Sequence, residues 1–414
     1  MGAPARSGGP VPRPRLLVLA STFPARAGDG VPAFVRDLAL QESLDFDTRV
    51  LVPRVPGAAS DEQDGDLHIT RYPYFPKHWE DLADGAIIEN LRAKPIRWLQ
   101  VPGLFLAQLI ALRRVLREFR PDVLHVHWII PQGVVALLGG RRVPQLVTTL
   151  GGDLYALNAA PLRALKARIV RRAGAVTVMN ADMRDRVIAL GAAPASVQVI
   201  PMGADLPPVP ASEPAGADEA VPAPGVVPAR LMFVGRLVEK KGLSYLIEAV
   251  RRAPAGSLEL EIVGDGPLRT ALETEASGLP VVFIGQQGRT ELFAAYRRAD
   301  VVVFPSVAST SGDQDGLPVA LLEAMRAGRA IIATDLPGLN EVVLDDATGL
   351  VVPDRDTAAL LRAIQRLADD PDLRERLGAA AATQAEQFSI EAIGSRYRTL
   401  LHDVLGAVGR RSSD

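Results

Sequence analysis

Cysteine is absent from the 414-residue sequence. Disulfide frameworks, thiolate metal sites and thiol nucleophiles are excluded with it. Histidine is scarce, with five residues scattered without metal-ligand spacing, and no metal site is expected. Net charge is nearly absent too. A formal value of −2 argues against a polyanion binder, so nucleic acid is not an expected partner. No uninterrupted apolar run reaches the ~18 residues of a spanning helix, and LLVLA near the N-terminus is too short for a signal-peptide core. A chain without cysteine fits a reducing cytoplasm, with a peripheral place on the inner face of the membrane as the variation on it. What is present is an ordinary globular composition, 48% hydrophobic and 23% charged, at a length suited to two or three domains.

Residues 1–14, rich in Pro, Gly and Arg, read as a disordered lead-in. Beyond them, short apolar runs alternate with helical patterns. LLVLA is followed by a Gly/Pro loop and the helical AFVRDLALQES. VLHVH, QLVTTL and AVTVMN then read as buried strands, β-branched and without polar alternation. The first half closes with VQVIPMGAD, which places a first domain at residues 15–206. Residues 207–228 are dominated by Pro and Ala with no surviving periodicity and read as a linker. The alternation restarts over residues 229–388 with RLMFVG, LSYLIEAVRRA, LELEIVG, PLRTALETEA, VVFIG, ADVVVFP and AIIATD. Alternating strand and helix predicts parallel α/β sheets. The predicted architecture is two doubly wound, Rossmann-like domains facing each other across a cleft, followed by an amphipathic tail helix at about residues 389–408.

In open parallel sheets, ligands gather at the carboxyl ends of strands. After LMFVG comes Arg236-Leu-Val-Glu-Lys-Lys-Gly242, a glycine turn and a group of cations before a helix. Such cations suit a phosphate or diphosphate, or make a solvated basic turn. The segment matches neither a P-loop nor GxGxxG. After LELEIVG, Asp265-Gly266-Pro267 makes a tight turn. After ADVVVFP comes SGDQDGLPVALLEAMRAG, where Gly316 allows close backbone approach and Pro318 suits a helix start. The N–H groups of Gly316 and Leu317 are candidates to point into the cleft. Asp315 lies on the loop, and Glu323 sits in a helix whose neighbours are apolar. A carboxylate so placed is either tucked against buried surface or aimed at a hydroxyl-rich ligand such as a sugar diol.

Taken in order, FVGRLVEKKGLSYLIEA, IVGDGPLR, VVFIGQQGRTELFAAYRRADVVVFPS and DGLPVALLEAMRAG resemble the nucleotide-sugar half of glycosyltransferase family four. STFP…GDGVPAFVRDLA, DVLHVHWIIPQG, VTTLGGDLY and VQVIPMGAD are similar to its acceptor-side half. The resemblance implies the GT-B fold, with the tail helix crossing back to the first domain. It implies that Arg236 and Lys241 neutralise a donor diphosphate, approached from the other domain by the loop of Gly28 and Gly30, with the backbone at Gly316 and Leu317 lining it. Glu323 matches the second glutamate of the family's E-x7-E pattern, which holds the ribose, and Asp315 stands at the first. Nucleotide contacts are implied at Gly264, Gly266 and Gln287, and acceptor or sugar contacts at Gly152, Asp153 and Trp128. The sequence departs from the family where many members read Thr-His-Gly-x-Asp, because Leu150 replaces the histidine. His127 then becomes the expected cleft histidine, the alternative being a strand-end residue packed beside Trp128.

The implied reaction is metal-independent and needs no cofactor. It transfers a hexosyl-type unit, with retention, from a nucleotide diphosphate sugar to a hydroxyl on a glycan, lipid-linked or small-molecule acceptor. Basic helical stretches in the first half, ALRRVLREFR and LRALKARIVRR, add peripheral contact with anionic lipid as an expectation. Competing readings are a nucleotide-sugar epimerase or phosphorylase of the same fold, and a non-catalytic nucleotide-sugar-binding module.

Overall fold

Strand β1 (Arg15–Leu19) starts the first sheet with four consecutive buried aliphatic side chains, the pattern of a strand covered on both faces. The computed structural model describes residues 12–25, 33–85, 87–156, 159–204, 228–310 and 316–411. Within them β2 (Asp47–Pro53), β3 (Asp61–Asp64), β4 (Leu67–Tyr72), β5 (Val123–His127), β6 (Gln145–Thr148), β7 (Ala175–Val178) and β8 (Val197–Val199) join β1 in the order β3-β4-β2-β1-β5-β6-β7-β8. All pairings are parallel except β3 with β4. That pair departs from the all-parallel expectation. β3 is the polar stretch DEQD, joined to β4 through Gly65 at φ 58°, and it covers the sheet edge.

The second sheet holds β9 (Ala229–Val234), β10 (Leu258–Val263), β11 (Val281–Gly285), β12 (Val301–Phe304), β13 (Ala330–Thr334) and β14 (Leu350–Val352). Its order is β11-β10-β9-β12-β13-β14, and every pairing is parallel. The order reverses between β9 and β12, as it does between β1 and β5 in the first sheet. At such a switch point the loops leave in opposite directions and open a crevice at the strand ends.

Two apolar cores support these sheets. One lies in the second domain on the face covered by the helices Leu243–Arg252 and Thr357–Asp369. The other fills the first domain and continues into the second through Leu317, Leu321, Leu322 and Met325. The C-terminal helix Ile390–Arg411 returns to the first domain. There Tyr397 is fully buried and its hydroxyl donates to the Ile200 carbonyl (3.2 Å), while Arg398 donates to the Gln41 carbonyl (3.1 Å).

Candidate active site

The loop after β9 is shaped by backbone contact with its neighbours. Leu237 N donates to the Asp265 carbonyl (2.9 Å), and Leu268 N to the Leu237 carbonyl (3.1 Å). A Cβ on Gly264 (φ 136°) would lie 2.0 Å from the Gly235 carbonyl oxygen, so only glycine lets the two loops touch. Gly242, at φ 62°, is tighter still, since an added Cβ would lie 1.8 Å from the Pro305 carbonyl oxygen. Val307 N donates to the Lys240 carbonyl (2.9 Å) and ties this loop to the one after β12. The result is a rigid rim at the switch point carrying half-buried Arg236 and Lys241, with the Lys241 stem against Gly235.

Glu323 stands on the helix Val319–Arg326. Tyr296 Oη donates to the Ala320 carbonyl (3.1 Å) and lies 3.3 Å from Glu323 Oε2. Removal from water pushes the Glu323 carboxyl up to about 7; the Tyr296 hydrogen bond and Arg289 draw it down, and Asp37 raises it further. Asp37 belongs to the first domain, on the helix Phe34–Glu42. Its charge is therefore felt at Glu323 from the other domain. Gln287, half-buried beyond β11, donates to the Ile284 carbonyl (2.8 Å).

The two domains meet at the start of the Glu323 helix. Gly316 and Leu317 are buried. The Gly316 carbonyl accepts from Asn180 Nδ2 (2.7 Å). A Cβ there would press on Met183, Met179 and the Leu150 carbonyl of the first domain. Asn180 Oδ1 also accepts from Met183 N (2.8 Å), capping the helix Ala181–Ala189. Glu341 reaches across to accept from Ala181 N at 3.0 and 3.1 Å. Asn180, Tyr296, Asp37 and Glu341 were not singled out from the sequence. Asn180 had a signal, an Asn between a buried run and a helical pattern; the others had none.

Two expected site residues lie in the interior. His127 is fully buried, its ring 4.1 Å between centroids from His125. Among the described residues neither of its ring nitrogens has a hydrogen-bond partner, and burial, with His125 beside it, holds it well below the usual histidine range. It shares a face of β5 with His125, two residues away on the strand, and Tyr397 covers that face, stacked on His125 at 5.4 Å. His125 itself bridges Glu42 Oε1 (2.6 Å) and Thr148 Oγ1 (2.7 Å). Burial lowers the imidazole to about 3 and raises the carboxyl, which favours the neutral form of each. Asp153, expected on the acceptor side, is buried with both oxygens occupied: Oδ2 accepts from Ile129 N (2.6 Å) and Oδ1 from Thr149 Oγ1 (2.8 Å). It organises the loop rather than offering a free carboxylate. Half-exposed Gly152 and Trp128 do reach the surface beside it. Trp128 holds φ 71°, a conformation a non-glycine residue adopts only when its surroundings enforce it, and it meets Phe34 edge-on at 6.4 Å. Gly28, Gly30 and Asp315 lie outside the described residues, as do residues 207–227 of the expected linker.

With this geometry in place, two family descriptions match the chain. Residues 29–203 match a glycosyl transferase 4-like domain, and residues 228–370 match glycosyl transferases group 1. The chain belongs to glycosyltransferase family four. The family-four chain is 31% identical over 282 residues to a glycogen synthase of Mycobacterium tuberculosis, an alignment that takes in 64% of each protein. Its fold is that of sucrose-phosphate synthase from Thermosynechococcus elongatus, at a TM-score of 0.75 and 21% identity over 95% of this chain and 100% of that one. A structure of Anabaena HepE in complex with UDP-glucose matches at a TM-score of 0.65 and 15% identity, covering 94% of this chain and 99% of that one. The family-four chain therefore has the GT-B architecture, two parallel-sheet α/β domains.

Proposed function

We propose that the chain is a retaining glycosyltransferase that moves a sugar from a nucleotide diphosphate donor to an acceptor hydroxyl without a metal ion. The observation that carries this reading is the switch-point loop, which holds Arg236 and Lys241 in a glycine-locked path, together with a buried carboxyl, Glu323, raised to about 7 on the helix Val319–Arg326. The donor's anomeric carbon–phosphate oxygen bond breaks and a bond from that carbon to the acceptor oxygen forms. Charge accumulates on the leaving diphosphate, and Arg236 and Lys241 are placed to meet it as it develops. The acceptor proton passes to the leaving phosphate, and the incoming oxygen enters on the face the phosphate leaves. Glu323 binds the ribose diol as carboxylate, and Gly264, Gly266 and Gln287 form the nucleotide side of the site. Asp315, Gly28 and Gly30 complete the sugar and phosphate contacts. Gly152 and Trp128 border the acceptor. The donor class is supported by the UDP-glucose held by the HepE relative. Polymer or glycoconjugate assembly is supported by the glycogen synthase likeness.

Leu150 favours a second reading, a binder without chemistry, because it replaces the family's histidine. One experiment separates the two: turnover with UDP-, GDP- and ADP-sugars, for the wild type and Lys241→Ala. Transfer with one donor class, slowed about tenfold or more in the variant by loss of a charge-assisted contact, supports the enzyme. Donor binding without turnover favours the binder. Unchanged turnover in Lys241→Ala removes that residue from the site.

A further inference from the structure

Between β4 and the long helix of the first domain the usual division of residues is inverted. Glu80, Gln100 and Gln108 are buried, whereas Trp79, Ile96, Trp98, Leu99, Leu106 and Ile110 are 60 to 70% exposed. Loose packing does not explain this, because the segment is pinned from within. Glu80 accepts from Tyr74 N (2.6 Å), Phe75 N (3.0 Å) and Arg54 Nε (2.5 Å). Asp81 is held by Arg97 (2.7 Å) and Gln100 (2.9 Å). Gln100 Oε1 accepts from Leu82 N (3.2 Å), and Asn90 donates to the carbonyls of Leu82 and Asp84. The fold spends its polar side chains inside and holds large apolar ones outward, an arrangement that water disfavours.

The stretch Pro95–Glu118 is long and apolar enough to cross a membrane, although charged and polar residues interrupt it. It does not span, since Leu104, Gln108, Leu112 and Val115 pack into the domain. Its opposite face presents Leu106 and Ile110, then the exposed cations Arg113, Arg114 and Arg117. Exposed Lys77 and Lys94 lie on the same segment as the two tryptophans. Aliphatic side chains, tryptophans and peripheral cations together match the layers of a lipid surface, with acyl chains below, the interfacial zone between and anionic headgroups at the rim.

We infer that this face, centred on Trp79, Trp98, Leu106 and Ile110, docks the protein on an anionic bilayer. The inference rests on the proposed transferase reading and deepens it. The segment leaves the carboxyl end of β4, and Ala83, Asp84 and Gly85 line a small pocket with Thr22, Phe23, Ala25 and Val55 at the ends of β1 and β2. The docking face thus adjoins the cleft mouth of the acceptor-side domain, and the acceptor class it fits is a hydroxyl carried on a membrane lipid.

The test is flotation of the full chain with vesicles of phosphatidylglycerol and phosphatidylcholine, and with phosphatidylcholine alone. It uses the wild type, Trp79→Ser/Trp98→Ser and Leu106→Gln/Ile110→Gln, with nucleotide diphosphate affinity and light scattering measured alongside. The expected result is wild-type binding that prefers the anionic vesicles and falls about tenfold or more in each double variant, with nucleotide affinity unchanged. Wild type that stays with the soluble fraction, or variants that float like it, would overturn the inference. So would a lipid-free dimer that the variants dissociate, since a second copy would then cover the face. Vesicle binding without donor turnover leaves the docking face intact and defeats the transferase reading alone.

Discussion

A carboxyl held up to about 7 changes charge near neutral pH. For Glu323 the ordinary value is 4.5, so the folded state disfavours the charged form. The penalty is absent well below the ordinary value, grows between 4.5 and about 7, and is complete above that. Glu323→Gln should therefore gain stability relative to wild type between pH 5 and pH 8. The residue is only partly buried, so the expected gain is only about 1 kcal/mol. Urea unfolding at the two pH values measures it, and a pH-independent difference would contradict the assignment. Nucleotide affinity should move the other way, strengthening with pH as the ribose-binding carboxylate forms. Glu323 was legible in the sequence because one acid stood among apolar neighbours. The burial of His127 and Asp153 was not, because a strand-end position says nothing about which distant helix will cover a face.

At the scale of an element, the site depends on loops that cross at backbone distance. Gly242 occupies the left-handed region and has the Pro305 carbonyl where a Cβ would go. Gly242→Ala should destabilise the second domain by about 2–3 kcal/mol and weaken nucleotide diphosphate binding, because the lysines beside it lose their place. Thermal unfolding with and without nucleotide reads both effects. A variant with wild-type stability and affinity would show that the loop tolerates another path. The strands of this domain were legible from β-branched runs such as the VVVF of β12. The β3–β4 hairpin was not, because its DEQD strand carries no apolar pattern and pairs only because β4 offers an edge.

For the whole molecule, an apolar core runs from one domain into the other, and a polar pair is set into it. Asn180 caps one helix and holds the Gly316 carbonyl of the other domain with the same amide. Asn180→Ala removes a cap worth about 1 kcal/mol and leaves a buried carbonyl unpaired at a similar cost of about 1 kcal/mol. The expected outcome is a loss of about 2 kcal/mol in unfolding stability, together with a larger radius of gyration in small-angle scattering. An unchanged radius would mean that the apolar contacts of Gly316 with Met179 and Met183 hold the domains together without it.

The sequence by itself determined the α/β class, the twofold restart of strand and helix, the family motifs and the cationic glycine loop, since these reside in local periodicity and in residue types that tolerate few backbone conformations. Only the tertiary structure decided which face of β5 is covered, that Asp153 serves its own loop, that the charge of Asp37 reaches Glu323 from the other domain, and that Trp79 and Trp98 point outward. Each of these depends on segments far apart in the chain arriving at one place, and the solvent exposure and charge state of a side chain are set there.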